Sequence, residues 1–347
     1  MNPSSHSLQH NFKMPKNSYE QLGPIAVLGT GSIGSRHMNV LRELGVGVIP
    51  VPLRETRRAE LKKDGWNSSE SLQAAAEIGA SAVIIATDTV RHLRDIEQAL
   101  DLGLDVLVEK PMTPSAAEAH HLPRFAEQRE RNLFVGCCLR FDPGLNYIRE
   151  NLSPFGEIHS VRIECGSYLP EWRPDRDHRL GYSARAEEGG VLRDLIHEVD
   201  YAIWLFGFPD WVFGTLSNFS RIGVESEEMA EGIWRTGSGG SVSLSLDYLT
   251  RHPRRRISVS GSYGSYDYCL ISRHLTIRMV GEESREITFP RQDNDIYFQQ
   301  ASEFLEAISG QSTARLATAE DGLNALIVCD AWRKSSASGS REYTSLP

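Results

Sequence analysis

The sequence predicts an α/β chain in two parts: a doubly wound parallel sheet first, then an α+β region built on a large, mostly antiparallel open sheet. Three observations carry that expectation. Short apolar runs alternate with helix-forming stretches up to about residue 140, as parallel strands covered on both faces require. A glycine cluster, Gly29-Thr30-Gly31-Ser32-Ile33-Gly34, stands between the first apolar run and the first helical stretch. Beyond Trp211, Val242, Leu244 and Leu246 alternate with serines, as in a sheet with one buried face.

Taken in order, residues 1–21 are polar, lack an apolar signal core and are expected to form a disordered tail. Met14 offers an alternative start, which leaves residues 1–13 open as part of the native product. Strand Ile25–Leu28 leads through the glycines to a helix over Ser32–Leu44, a strand over Val46–Val51 and a charged helix over Glu55–Lys63. Strand Ser81–Ala86, helix Val90–Leu102, strand Asp105–Val108, helix Ser115–Arg129 and strand Asn132–Cys138 complete a first domain, residues 22–143. The second, residues 144–347, begins with a helix over Gly144–Asn151 and a strand over Ile158–Tyr168. An arginine-rich loop and a helix over Gly190–Phe206 follow, then strands from Trp211 to Pro290, and two helices, Ile296–Ser309 and Ala319–Ser335.

The bulk numbers narrow the function classes. A chain of 347 residues suits two domains, and its formal charge of -9 argues against nucleic acid or an anionic membrane as the main partner. No apolar run approaches the ~20 residues of a membrane span. The five cysteines form no Cys-x-x-Cys pair and suit reduced thiols in a cytoplasmic protein. No cluster of Cys, His and carboxylates has metal-ligand spacing, so no metal site is expected.

The glycine cluster has the context that makes it informative, a strand immediately before it and a helix immediately after. Gly29 permits a tight turn, Gly31 lets the backbone approach a pyrophosphate, and Gly34 lets helix pack on strand. The helix start at Thr30, Ser32 and Ile33 offers free N–H groups to the phosphates. About twenty residues past Gly34 comes Arg54, where an acidic residue would bind a ribose 2′-hydroxyl and an arginine a 2′-phosphate. Arg54, with Thr56, Arg57 and Arg58 beside it, favours NADP; Glu55 keeps NAD as the alternative.

After the strand Val106–Val108, Glu109-Lys110-Pro111 stands at a carboxyl strand end, where ligands bind in such sheets. There a lysine can polarise a carbonyl or stabilise a developing alkoxide. The glycine cluster, Glu109-Lys110-Pro111, Arg140-Phe141-Asp142-Pro143 and the run from Gly189-Gly190 through Asp194 and His197 to Asp200, in that order and spacing, resemble the glucose–fructose oxidoreductase / inositol dehydrogenase (Gfo/Idh/MocA) family. The resemblance runs from about residue 22 into the last helix, where Asp321-Gly322-Leu323 is also similar.

The resemblance implies a Rossmann domain holding NAD(P), a second domain whose open sheet forms a homodimer or homotetramer interface, and a pyranose, cyclitol, sugar-nucleotide or polyol substrate. It maps the catalytic lysine onto Lys110, the catalytic histidine onto His197 and its companion carboxylate onto Asp194. Thr87, Asp88, His92 and Glu109 fall near the cofactor, and Arg140 falls near the substrate at the domain junction. One departure stands out: Asp194 and His197 are three residues apart, where the family usually has four. On a continuous helix either spacing leaves the pair on one face. The run Asp194-Leu-Ile-His-Glu-Val-Asp-Tyr201 is similar to a subgroup associated with bacterial surface-glycan and acidic-sugar metabolism.

In the chemistry implied, His197 is the general acid or base, Lys110 stabilises charge on the reacting oxygen, and Asp194 orients the imidazole or grips a substrate hydroxyl. The loop from Tyr168 to Arg185 supplies Trp172 and Tyr182 for a sugar face and Arg173 and Arg179 for an anionic substituent. Local carboxylates such as Asp177 and Glu188 are the competing partners for these arginines. Arg254-Arg255-Arg256 reads as the solvated start of a strand. Two other functions remain open on the sequence: a non-catalytic NAD(P)-binding sensor, and a redox-assisted epimerase or eliminase that returns the hydride.

Overall fold

In the computed structural model, Tyr19 and residues 21–237, 239–290 and 294–344 are described; apart from Tyr19 and Gln21, the expected N-terminal tail lies outside them. The first domain runs β1 (Ile25–Leu28), α1 (Ser32–Glu43), β2 (Val48–Val51), α2 (Glu55–Lys63), α3 (Leu72–Glu77), β3 (Ala82–Ile85), α4 (Thr89–Asp101), β4 (Asp105–Val108), α5 (Ala116–Ala119), α6 (Leu122–Gln128) and β5 (Leu133–Val135). Its strands pair in parallel in the order β5-β4-β3-β1-β2. Every residue of β1, β3 and β4 is buried, as a sheet covered on both faces demands. The helix expected over Ser115–Arg129 is two helices, because Pro123 has no N–H to donate and belongs in a first turn, here that of α6.

A 3-10 turn, Cys138–Phe141, joins this domain to α7 (Pro143–Glu150) and β6 (Ile158–Gly166). Next come α8 (Val191–Asp194), α9 (Ile196–Phe206), β7 (Trp211–Ser217), β8 (Met229–Arg235), β9 (Ser241–Asp247), β10 (Arg254–Gly261), β11 (Gly264–Cys269), β12 (His274–Met279) and β13 (Arg285–Thr288). After α10 (Asp295–Ile308), β14 (Ala317–Thr318) and α11 (Ala319–Ser338), the short β15 (Glu342–Tyr343) pairs with β7. The second sheet has nine strands, β13-β12-β11-β10-β6-β9-β8-β7-β15, antiparallel except for the β6–β9 pair. Val242, Leu244 and Leu246 lie in its core. Among the described residues, no helix is long and apolar enough to cross a membrane.

Two features depart from the sequence reading. The helix expected over Gly190–Phe206 breaks at Leu195 (φ −98°, ψ 27°), so Asp194 ends α8 and His197 lies in the first turn of α9. The carbonyl of Asp194 accepts a hydrogen bond from the Lys110 ammonium at 2.6 Å, which gives it a partner outside the helix at the break. The chain also returns to the first sheet. β14 pairs antiparallel with β5, and α10 packs on α1 and on the 3-10 turn. Residues placed in the second domain by sequence therefore finish the edge of the first.

Candidate active site

The glycine loop is shaped by contacts that exclude side chains. Gly29 has φ +87°, and a Cβ there would stand 2.5 Å from the Ala86 carbonyl oxygen. A Cβ on Gly34 would lie 1.9 Å from the Gly29 carbonyl oxygen, so α1 can sit this close to β1 only with glycine. Gly31 faces open space, and the buried Thr30 hydroxyl has no hydrogen-bond partner among the described residues. An open loop at a helix start, with an orphaned hydroxyl beside it, fits a dinucleotide pyrophosphate. Ser32 and Ile33 form the first turn of α1.

Arg54 is exposed at the N-cap of α2, with no side-chain hydrogen bond to the loop among the described residues. Arg57, one turn on, is the arginine that reaches it: Nε donates to the Thr30 carbonyl and Nη2 to the Ser35 hydroxyl, both at 3.0 Å. Helical pitch decides which side chain of this segment points back to the loop, and that side chain is Arg57.

At the ends of β3 and β4 the expected cofactor residues divide. Asp88 is exposed at the N-cap of α4, and the Thr87 hydroxyl donates to Asp95 at 2.8 Å. His92 is buried and spans two carbonyls, Pro111 at 2.9 Å and Thr87 at 3.1 Å. Burial lowers its pKa, the two carbonyls opposing. It therefore ties the β3 loop to the Lys110–Pro111 turn, whose peptide bond is cis, and does not line the crevice. Glu109 pairs with His37 of α1 at 2.7 Å. Burial pushes that carboxyl up, but His37 and then Lys110 outweigh it and leave its pKa lowered. His37 went unrecognised in the sequence, since nothing in its spacing marks a partner 72 residues away.

Lys110 and His197 come together from the two domains. The ammonium is held at the α8–α9 break, and its charge reaches the half-buried imidazole. Burial first, then Lys110 and Arg255, push the His197 pKa well below the ordinary imidazole value. Its buried Nδ1 has no hydrogen-bond partner among the described residues. Asp194 makes no hydrogen bond to it, so the expected orienting contact is absent. The reason is the break at Leu195. Instead, Asp194 Oδ2 accepts from the Tyr248 hydroxyl at 2.5 Å, and its buried Oδ1 has no hydrogen-bond partner of ordinary geometry among the described residues. Tyr182 also faces this carboxylate; burial first, then Asp194, raise the phenol pKa well above its usual value. Trp172 stands edge-on to Tyr248, at 5.5 Å between ring centroids, and donates to the Ser167 hydroxyl.

The chain belongs to the Gfo/Idh/MocA oxidoreductases. Residues 24–137 match the model of the oxidoreductase family's NAD-binding Rossmann fold, and residues 153–267 match that of the GFO/IDH/MocA C-terminal domain. A UDP-N-acetylglucosamine 3-dehydrogenase of Acidithiobacillus ferrooxidans is 27% identical over 267 residues, covering 74% of this chain and 77% of that protein. An uncharacterised oxidoreductase of Synechocystis is 30% identical over 194 residues, 53% of this chain, which spans about half (51%) of that relative's length. A levoglucosan dehydrogenase solved in complex with NADH superposes with a TM-score of 0.84 at 17% identity, covering 94% of this chain and all (100%) of that one.

Within this Gfo/Idh/MocA member, two of the expected substrate contacts, Arg140 and Arg179, are engaged elsewhere. Arg140 is buried and forks onto Asp200 (2.7–3.2 Å) while also donating to Asp321 at 3.1 Å. Burial opposes its charge, but Asp200 holds the guanidinium protonated. It is a staple between the 3-10 turn, α9 and α11, not a group free for substrate. Arg179 is exposed and forks onto Asp177 at 2.7–3.2 Å, so local pairing takes it. Arg173 is exposed, has no carboxylate partner among the described residues, and its charge reaches Tyr182. Arg254 and Arg256 are exposed as expected, but Arg255 turns inward to Glu198, a pair that the triple-arginine string concealed. Among the described residues no group of ligands could hold a metal ion.

Proposed function

We propose that the protein moves hydride between a nicotinamide dinucleotide and a CH–OH carbon of a sugar, sugar nucleotide or polyol, with His197 transferring the proton. The observation that carries this is the meeting of Lys110 and His197 across the domain boundary at the carboxyl end of β4. The bound cofactor supplies the hydride chemistry. In the oxidising direction the substrate hydroxyl gives its proton to His197, whose low pKa keeps it neutral and able to accept. Lys110 stabilises the negative charge that develops on that oxygen. Asp194 Oδ1, buried and without a hydrogen-bond partner of ordinary geometry among the described residues, accepts from a neighbouring hydroxyl, with Tyr182 and Trp172 offering aromatic faces to the ring. The relatives named for UDP-N-acetylglucosamine and levoglucosan oxidation support a substrate of this class.

Two finer assignments belong to the same reading. Arg57, seated on the loop by Thr30 and Ser35, favours a 2′-phosphate and hence NADP. Arg173 at the edge of the Tyr182 wall favours an anionic sugar. The deciding experiment combines a screen of sugars and sugar nucleotides, read by nicotinamide absorbance, with His197→Asn. We expect that variant to lose about 10²–10⁴ in kcat at unchanged dinucleotide affinity. Native turnover in His197→Asn removes His197 from the reaction. Net-neutral absorbance during product formation would instead favour a hydride-returning epimerase or eliminase.

A further inference from the structure

Arg255 carries an inference beyond this assignment, and it rests on His197 being the proton-transfer group. Of the three consecutive arginines opening β10, only Arg255 points into the protein. Its backbone is pinned on both sides, opposite Cys165 on β6 and through its carbonyl, which accepts from the Leu270 N–H. The side chain forks onto Glu198, Nε to Oε1 at 2.6 Å and Nη2 to Oε2 at 2.9 Å. Glu198 is fully buried (0% exposed) and is the residue after His197 in the first turn of α9. Enclosing the Glu198 carboxylate is costly unless a cation answers it, and the half-buried Arg255 does so. This pair is made on the turn that bears the imidazole.

We propose that Arg255 is a positioning residue for His197: its fork on Glu198 fixes the first turn of α9, and its charge faces the imidazole from the sheet. The other groups around that turn leave this role to it. Lys110 comes from the β4 end and is held by the Asp194 carbonyl. Asp194 turns its carboxylate to Tyr248 and Tyr182 and makes no hydrogen bond to His197. Arg140, from the 3-10 turn, is taken by Asp200 and by Asp321 of α11. Cys138, Cys165 and Tyr201 are buried, and burial raises the pKa of each, leaving them neutral. Arg255 and Lys110 are thus the cations that the imidazole meets, and both work with burial to keep it unprotonated.

The test is a histidine NMR titration of the full-length protein with its bound dinucleotide, the His197 signal being assigned by its loss in His197→Asn. In Arg255→Gln the His197 midpoint is expected to rise by about one pH unit, with the acid limb of kcat moving alongside. Arg255→Lys keeps the charge and loses the fork; its midpoint should stay native while kcat falls about tenfold with KM little changed. An unmoved midpoint in folded Arg255→Gln, or native kcat in Arg255→Lys, overturns the proposal. Should Arg255→Gln not fold, Arg255→Lys decides alone. If His197→Asn retains turnover, the proton-transfer reading fails, and the midpoint shift still reports separately whether Arg255 sets the imidazole's charge environment.

Discussion

Asp200 and His197 stand three residues apart on α9, yet the protein treats their polar atoms in opposite ways. Asp200 is enclosed and answered on both oxygens by the Arg140 fork, with Asp321 completing the staple. His197 has a buried nitrogen with no partner among the described residues, and the charge of a lysine that approaches from another domain reaches its ring. Satisfied polar groups hold the junction rigid, whereas unmet ones leave capacity for a ligand. An unmet atom alone is no signal: Gln300 and Trp234 also bury polar atoms without partners among the described residues. What separates His197 from those sites is that the charges of Lys110 and Arg255 both reach it.

Substitutions at the two ends of this comparison should fail differently. The largest effect is expected from Arg140→Ala, which leaves Asp200 buried and uncompensated. Urea denaturation should show about 3–5 kcal/mol of lost stability. A loss near that of a surface change would mean the staple holds nothing together. In the crevice, Asp194→Asn should spare stability and lower kcat/KM about ten- to a hundredfold, since the Lys110 contact is to the backbone carbonyl and survives. Steady-state kinetics across substrates with and without the neighbouring hydroxyl would check it. Equal losses on both substrates would take Asp194 out of substrate recognition.

The smallest effect concerns pH. His197 has a lowered pKa in the folded protein, so the unfolded chain binds a proton near pH ~6.5 that the folded one refuses. Stability therefore falls as pH drops through that value towards the folded pKa, by at most ~1.4 kcal/mol per pH unit from this group. Thermal melts at about pH 7.5 and 5.5 should show a shallower acid loss in His197→Asn than in the native protein. His92, also buried with a lowered pKa, contributes to both and cancels in the difference. Parallel losses would place the imidazole in an environment that tolerates its charge.

Much of this was readable along the chain, because periodicity and turn chemistry are local. The four-residue apolar strands, the glycines at 29, 31 and 34, and the alternation through β9 each state their geometry within a few residues. Lys110 and His197 were also nameable, since each stands in a string that keeps its surroundings. What spacing could not decide was orientation. Arg57 rather than Arg54 reaches the glycine loop because of where α2 starts its turn. Arg140 and Arg179 spend their charge on Asp200 and Asp177, although as letters they look as available as Arg173. Arg255 faces inward while its two neighbours face water. The break at Leu195, the His37–Glu109 pair and the return of Ala317–Thr318 to the first sheet are contacts between residues tens to hundreds of positions apart. Local sequence determined which elements form and which chemistry is present. Only tertiary packing decided which charged group meets which, because a side chain's partner is set by distance in space, and distance along the chain does not encode it.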